Sequence, residues 1–337
     1  MASAHPPTPV LCGLGGWLPP RIVTNEELSR GLDTSDTWIR TRTGIGRRHV
    51  AEPGTATSDL ALEAARRALK SAGTDHADAL ILATTTPDRP CPATAPLIAA
   101  ELGLGTVPAL DVGAVCTGFL YALATGAGFL AAGLAGTVLV VGADTYSRIL
   151  DPADRSTRAL FGDGAGAVVL RAGTADEPGA LGPLVLASDG TGADLIRVPS
   201  GGSRDPVRPG TAHLSDPYFR MEGKKVFRNA VERMAAASRQ VAERRGWGVE
   251  GIDLLVAHQA NVRILYAVAD LLGLPRSRCH VHLDRVGNTA AASVPLALAD
   301  AAACGALRPG DRVVTCAFGG GLTWGAAALN WPGISPH

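Results

Sequence analysis

Aromatic side chains are scarce: Phe, Trp and Tyr together make up 4% of the 337 residues. A chain so poor in rings offers no evident stacking platform for bases. An excess of one charge is missing too. Thirty-one basic residues meet thirty-one acidic ones, so no global field recruits nucleic acid or a membrane surface. The six cysteines, Cys12, Cys91, Cys116, Cys279, Cys304 and Cys316, include no Cys-x-x-Cys pair and no metal-ligand spacing. Free thiols in a reducing cytoplasm are expected. The opening Met1-Ala-Ser-Ala-His-Pro-Pro has neither a charged n-region nor an apolar h-region, so no signal peptide is expected. What remains is 46% hydrophobic and 18% charged. That is ordinary globular composition, with material for one large domain or two fused ones.

The stretch that organises the chain is Leu110-Asp-Val-Gly-Ala-Val-Cys116-Thr-Gly-Phe-Leu. An apolar run leads into Cys116, and small residues then open a helix. A cysteine at a helix N-terminus meets unpaired N–H groups and the positive end of the dipole. Those favour a thiolate and lower the thiol pKa, as a nucleophile needs. A buried structural cysteine is the competing reading. Gly118 to Ala143 carries no charge and is long enough to span a bilayer. Gly126, Gly128, Gly133 and Gly136 break it, and Thr137-Val-Leu-Val-Val reads as a strand. We read a buried helix, a turn and a buried strand.

Thr8 to Pro20 reads as a strand entering a turn; Pro19 and Pro20 stand where a dinucleotide loop would need a helix. Asp33 to His49 is dense in arginine around Trp38. It reads either as a solvated basic face or as the mouth for a phosphorylated ligand. Thr57 to Ala72 is an amphipathic helix closed by Gly73, and Asp78 to Thr84 is a buried strand. Residues 200–217 read as a surface loop. From Met221 the pattern restarts. Helix Met221–Arg245, strand Ile252–Ala257, helix Ser293–Ala303 and strand Gly310–Phe318 echo the first half. Leu80 and Leu254, Gly136 and Gly310, and Ala143 and Ala317 share one offset of about 174 positions. The chain is thus expected to be α/β with two pseudo-symmetric halves, 1–175 and 176–337. At that offset Cys116 maps onto Ala290, two residues past Asn288, so two helix starts would face one central site.

Three further stretches bear on Cys116. Val256-Ala-His258-Gln-Ala-Asn261 puts a histidine just past a buried strand, where α/β folds place their sites. Gly287-Asn288-Thr puts an asparagine at the second helix start, where it can also be an N-cap. Phe318-Gly-Gly-Gly-Leu322 supplies backbone able to point N–H groups at an oxyanion, or simply a turn. His280-Val-His282 alternates as on a strand, with no third ligand expected nearby, so no metal is expected.

In register along nearly the whole chain, Asp33-Thr-Ser-Asp-Thr-Trp38-Ile-Arg-Thr-Arg42-Thr-Gly-Ile, Ala114-Val-Cys116-Thr-Gly-Phe, Asp154-Arg155 before Phe161-Gly-Asp-Gly-Ala-Gly-Ala, Met221-Glu-Gly, His258-Gln-Ala-Asn261, Gly287-Asn288-Thr and Phe318-Gly-Gly-Gly resemble the β-ketoacyl-acyl-carrier-protein synthase III family of the thiolase superfamily. The resemblance implies a duplicated thiolase-like fold, a five-layered αβαβα homodimer with a Cys116-His258-Asn288 triad. It implies attack of Cys116 on an acyl-CoA thioester, with amides of Cys116 and Gly321 as the oxyanion hole. Malonyl-acyl-carrier protein would then lose CO₂. His258 and Asn288 would stabilise the enolate, which attacks the acyl-cysteine. Coenzyme A is carried as a thioester substrate, and no cofactor or metal is implied. By the same resemblance Trp38 and Arg155 would sandwich the CoA adenine and Arg42 would bind its phosphates. Asn261 and Phe227 would line the pantetheine channel, and Arg228 and Arg263 would contact the carrier protein. Cys91 stands where relatives often carry Phe reaching across the dimer, and Leu322 where an aromatic is common. Both are assigned to the acyl pocket, with room for longer or branched groups.

Other outcomes share the scaffold. One is an acyltransferase that moves the acyl group to a hydroxyl or amine in secondary metabolism; another is priming of an aromatic polyketide line. A non-catalytic scaffold on the same fold is opposed by the intact triad. A biosynthetic thiolase is opposed by Cys316, two residues too early.

Overall fold

The computed structural model describes residues 6–207, 210 and 214–336. The first five residues of the opening segment, and 208, 209 and 211–213 of the expected loop, lie outside the described residues. Among the described residues nine strands build two main sheets. The first contains β1 (Thr8–Trp17), β2 (Ala79–Ala83), β3 (Ala109–Val112), β4 (Thr137–Asp144) and β5 (Gly164–Gly173), in the order β1-β5-β4-β2-β3. The second contains β6 (Leu181–Ser188), β7 (Leu254–Ala257), β8 (Arg312–Gly319) and β9 (Thr323–Asn330), in the order β7-β8-β9-β6.

The two orders are the same order. In each sheet an antiparallel edge strand leads to two strands of opposite sense and then to a parallel neighbour. A parallel bridge from Leu255 to Cys279 stands where β3 pairs with β2. Duplicated topology therefore underlies the repeated sequence pattern.

Strands buried on both faces read as continuous apolar runs, with period two deciding which core each residue joins. Ile81, Val138 and Val140 face a central core, while Leu80, Leu82, Leu139 and Val141 face the outer helix α1 (Thr57–Ala72). On the second sheet Leu254, Val256, Val313 and Ala317 face the central core. Leu255, Val314 and Cys316 face the other outer helices, α3 (Gly223–Arg244) and α4 (Val262–Leu272). The central core is filled by α2 (Gly118–Ala131) and α5 (Ser293–Ala303), which contribute Phe119, Leu120 and Leu123, and Val294, Ala297 and Leu298. The layers thus run helix, sheet, helix, sheet, helix. The charge-free stretch resolves into α2, a turn at Gly133 (φ +68°) and β4. No helix among the described residues is long and apolar enough to cross a membrane.

Two expectations shift. Val115 (φ +47°) and Ala290 (φ +48°) share the left-handed conformation that non-glycine residues rarely adopt. They are 175 positions apart (290 − 115), so Cys116 corresponds to Ala291, not Ala290. His280 and His282 lie on irregular chain between two short helical turns, not on a strand.

Candidate active site

Each buried central helix begins with a short 3₁₀ turn, Val115–Thr117 before α2 and Ala290–Ala292 before α5. Each turn packs against a glycine of the opposite half. A Cβ placed on Gly142 of β4 would lie 2.4 Å from the Ala291 carbonyl oxygen. One placed on Gly319 of β8 would lie 2.9 Å from the Cys116 nitrogen and 3.0 Å from that of Thr117. Only glycine permits approaches this close. Asp144 ties the halves further. Its carboxylate accepts from the Thr85 and Thr86 amides at 2.7 and 3.2 Å and, across the centre, from the Ala291 amide at 2.9 Å.

Cys116, His258 and Asn288 line one cavity of about 40 Å³. All are buried, at 8%, 3% and 4% exposure. His258 follows β7, where its amide donates to the Cys316 carbonyl at 2.7 Å. Its Nδ1 lies 2.8 Å from Ser293 Oγ, which also accepts from the Gln259 amide at 2.7 Å. Nε2 is left for the cavity. Asn288 is held by its backbone, donating to Leu160 and accepting from Gly162. Its Oδ1 accepts from the Ala290 amide at 3.0 Å, so the Nδ2 hydrogens are the part it can offer a ligand.

The helix start does not make Cys116 a resting thiolate. Burial first, and the Asp144 charge second, push its pKa well above the usual thiol value. This corrects the expected lowering: in a dry site, desolvation of the thiolate outweighs the dipole. Burial holds His258 down to about 4. The resting pair at neutral pH is therefore a thiol and a neutral imidazole.

The glycine run contributes Gly319 to the cavity. Gly321 is not among the lining residues, and its φ of +136° turns it toward Thr323. The loops are laced by Thr117 Oγ1 donating to the Thr323 carbonyl at 3.1 Å and Thr323 Oγ1 to the Ala114 carbonyl at 3.3 Å. Leu322 is 2% exposed, packs beside Gly192 and does not line the cavity. Cys91 is exposed and does not line it either. Cys316, fully buried, faces the outer core, and burial raises it to about 12. The sequence reading missed the apolar wall of Ile196, Phe219, Met234 and Ile264, and the role of Ser293.

The arginine-rich segment Asp33–His49 meets α4 at Gly44, whose Cβ position would lie 2.7 Å from Val262. Arg155 stacks 5.2 Å from the Trp38 ring centroid, and its guanidinium is held by the carbonyl and carboxylate of Asp33. Arg42 is exposed, and its carbonyl accepts from Asn261 Nδ2 at 3.1 Å. Asn261 Oδ1 meanwhile caps α4 through the Arg263 amide at 2.9 Å. Arg263 sits 5.8 Å from the Phe227 ring, and Arg228 and Arg263 are exposed.

A third potential metal ligand does approach His280: Asp300 and Cys304 lie with it in a cluster spanning 4.8 Å. The Asp300 carboxylate there already takes His280 at 2.8 Å and Arg285 at 2.7 Å. An arginine in the cluster supplies the positive charge that a cation would otherwise bring.

Family models described as 3-oxoacyl-[acyl-carrier-protein (ACP)] synthase III and its C-terminal part match residues 110–190 and 242–331. Among curated proteins, β-ketoacyl-[acyl-carrier-protein] synthase III 3 of Streptomyces coelicolor is 64% identical over 332 residues, 97% of this chain and 98% of that one. The Pseudomonas aeruginosa β-ketoacyl-[acyl-carrier-protein] synthase III is 53% identical over 331 residues, 98% and 99% of the two chains. Among solved structures, the P. aeruginosa 3-oxoacyl-(acyl carrier protein) synthase III superposes with a TM-score of 0.92 at 51% identity, covering 98% of this chain and 100% of that one. The priming β-ketosynthase of the R1128 polyketide pathway gives 0.91 at 34% identity, covering 100% and 99%.

Proposed function

The chain belongs to the β-ketoacyl-acyl-carrier-protein synthase III family of enzymes, and from that premise we propose how its own residues carry out the condensation of an acyl-CoA starter with malonyl-acyl-carrier protein. The observation that carries the reading is the Asn288 amide. With Oδ1 occupied by the Ala290 amide, it meets a ligand only as a donor, alongside the free Nε2 of His258.

In the first step Cys116 sulfur attacks the thioester carbonyl. The C–S bond to coenzyme A breaks, and the thiol proton ends on the departing sulfur. Because the resting thiol is neutral, its proton must move as the bond forms, and the neutral His258 is the adjacent base. Malonyl-carrier protein then brings its own thioester carbonyl to His258 Nε2 and Asn288 Nδ2. The C–C bond to the carboxylate breaks, CO₂ leaves, and the electron pair passes into an enolate held by the two donors. The apolar wall of Phe161, Met234 and Phe318 favours loss of the localised carboxylate charge. The enolate carbon attacks the acyl-cysteine carbonyl, and Cys116 leaves as a thiolate that takes a proton from solvent, its first one having left on coenzyme A. No metal or cofactor enters this balance.

The acyl-CoA would thread from the Trp38–Arg155 pair past Arg42, Asn261 and Phe227 to Cys116. Arg228 and Arg263 would meet the acidic carrier protein at the rim. We assign the oxyanion amides to Cys116 and the glycine run, with Gly319 as the member that reaches the cysteine turn. In a homodimer, Cys91 of a second copy would complete the acyl pocket, its small side chain leaving room for a longer or branched starter. A cytoplasmic setting accords with six free cysteines.

Intact-protein mass spectrometry with a panel of acyl-CoAs, then malonyl-carrier protein, tests the reading. One acyl adduct on Cys116, discharged as a β-ketoacyl product with CO₂ release, supports it. An adduct that malonyl-carrier protein never discharges overturns the role given to Asn288 and points to a hydroxyl or amine acceptor.

A further inference from the structure

A cavity of about 320 Å³ lies beside the active site and shares Phe161 with it as a wall. Four guanidinium side chains line it, Arg21, Arg48, Arg148 and Arg158, against one carboxylate, Glu27. That carboxylate is already taken, 3.2 Å from Arg21. Arg148 donates to the neutral carbonyl of Glu52 at 2.6 Å. Arg48 is completely buried, yet all its acceptors are neutral: the Val23 carbonyl at 3.2 Å, Asn25 Oδ1 at 2.8 Å and the Ala159 carbonyl at 2.9 Å. Its Nε is buried without a partner among the described residues, and so is the Nε of Arg158. Among the described residues the Arg158 side chain makes no hydrogen bond and no ion pair.

Asp36 and Glu26 act on Arg48 without bonding it, Asp36 through Asn25, whose Nδ2 donates to it at 2.8 Å. Burying a guanidinium without a direct carboxylate partner is costly, and a second beside it adds repulsion. Burial, then the nearby Arg158 charge, hold Arg48 down to about 10. Concave walls of low dielectric focus such a field on one kind of occupant, an anion. Guanidinium forks match tetrahedral oxyanions, and two neighbouring forks match a dianion.

We propose that the cavity bounded by Arg21, Arg48, Arg148 and Arg158 is a binding site for a phosphate dianion, separate from the catalytic cavity behind Phe161. Arg158 is the member that no other group among the described residues uses. The short helix Arg155–Arg158 carries Arg155 on the Trp38 ring and Arg158 in the cavity one turn later. Leu32 lines the cavity, and Asp33, next in sequence, holds Arg155. The phosphate therefore has two sources, free inorganic phosphate or a phosphate on the nucleotide at the Trp38–Arg155 pair. The second source rests on the CoA reading above; the site itself does not.

The test is calorimetry and thermal unfolding of the whole protein with inorganic phosphate, at constant ionic strength against chloride. Saturable binding to the wild type, weakened about tenfold in Arg158→Gln, is expected. Glu27→Gln removes the one carboxylate and should tighten binding several-fold, so the proposal survives a poorly folding arginine variant. Phosphate that competes with CoA, with Arg158→Gln weakening CoA but not 3′-dephospho-CoA, assigns the nucleotide source. Phosphate that binds alongside CoA assigns the free ion. No saturable effect beyond chloride, or phosphate binding unchanged in both variants, overturns the site. Acylation of Cys116 measured in the same samples keeps that failure distinct from failure of the condensation reading.

Discussion

Ser293 Oγ lies 2.8 Å from His258 Nδ1 and at the same time accepts the Gln259 amide at 2.7 Å. With one lone pair given to Gln259, the hydroxyl can either donate to Nδ1 or accept from it. Donation fixes the proton on Nε2, the form that can hold an enolate. Acceptance frees Nε2 as the base for the Cys116 thiol. Ser293→Ala removes both options. Decarboxylation of malonyl-carrier protein should fall roughly 10- to 100-fold. Ser293→Thr, which keeps the hydroxyl, should recover most of it. Nitrogen NMR of His258 should report mixed tautomers in the alanine variant. An unchanged spectrum with full activity would refute the role.

Acid sensitivity follows from the buried histidines. Burial depresses His258 and His282 from 6.5 to about 4. The unfolded chain takes up those protons near pH 6.5 and the folded chain does not. Their stabilisation is complete above pH 6.5 and is lost as pH falls through 4, at about 3 kcal/mol each. Asp144 acts in the opposite sense. Burial raises it to about 6, so the fold gains from its protonation between pH 6 and 3.8, again by about 3 kcal/mol. Burial also lowers His49 and raises Asp163, one on each side, so the two strongly depressed histidines against Asp144 leave a net loss of stability from pH 6.5 to 4. Urea midpoints across that range should fall, and His282→Gln, which leaves His258 and Asp144 nearly cancelling, should remove most of the slope. A flat wild-type profile would contradict the assignment.

The motifs made the site's chemistry legible because each joins a reactive side chain to an element end. Cys116 opens a helix, His258 closes a strand, and Asn288 precedes the second helix. The duplication was readable from buried strands whose apolar runs repeat at one offset. β6 and β9 escaped because Leu181–Ser188 and the Gly-Ala-Ala-Ala of β9 have weak β-propensity and pair through a distant register. Ser293 looked like an ordinary helix residue; its partner is 35 positions earlier. Ile196 and Phe219 sit in chain without periodicity, so nothing in the sequence aimed them at Cys116. The thiol pKa was misjudged because the sequence reveals a helix start but not how dry its surroundings are.

Tyr146 is fully buried and stacks on Phe161 with ring centroids 4.4 Å apart, yet its hydroxyl has no partner among the described residues. A buried orphan hydroxyl costs on the order of 1 kcal/mol or more. Tyr146→Phe keeps the stack and removes the orphan. It should raise the unfolding free energy by about 1 kcal/mol. Tyr146 does not line the cavity, so acylation of Cys116 should stay as in the wild type. A drop in acylation would mean that the hydroxyl reaches the reacting groups.

The two glycines that admit the helix turns separate the half-reactions. Gly319 faces the backbone of Cys116, and Gly142 faces Ala291, on the turn whose Ala290 amide anchors Asn288. A methyl group on either one forces backbone apart, because neither contact is with a flexible side-chain end. Both alanine variants should lose roughly 2 kcal/mol or more of stability, the cost of overpacking a close approach. Their kinetic signatures should differ. Gly319→Ala displaces the nucleophile and its amide, so acyl transfer from acyl-CoA should slow most. Gly142→Ala displaces the turn behind Asn288, so Cys116 should still acylate while CO₂ release from malonyl-carrier protein falls. Single-turnover measurements of the adduct and of CO₂ read the two steps separately. Equal losses in both steps for both variants would mean that the halves move as one body and that the division of labour across the pseudo-symmetry axis is wrong.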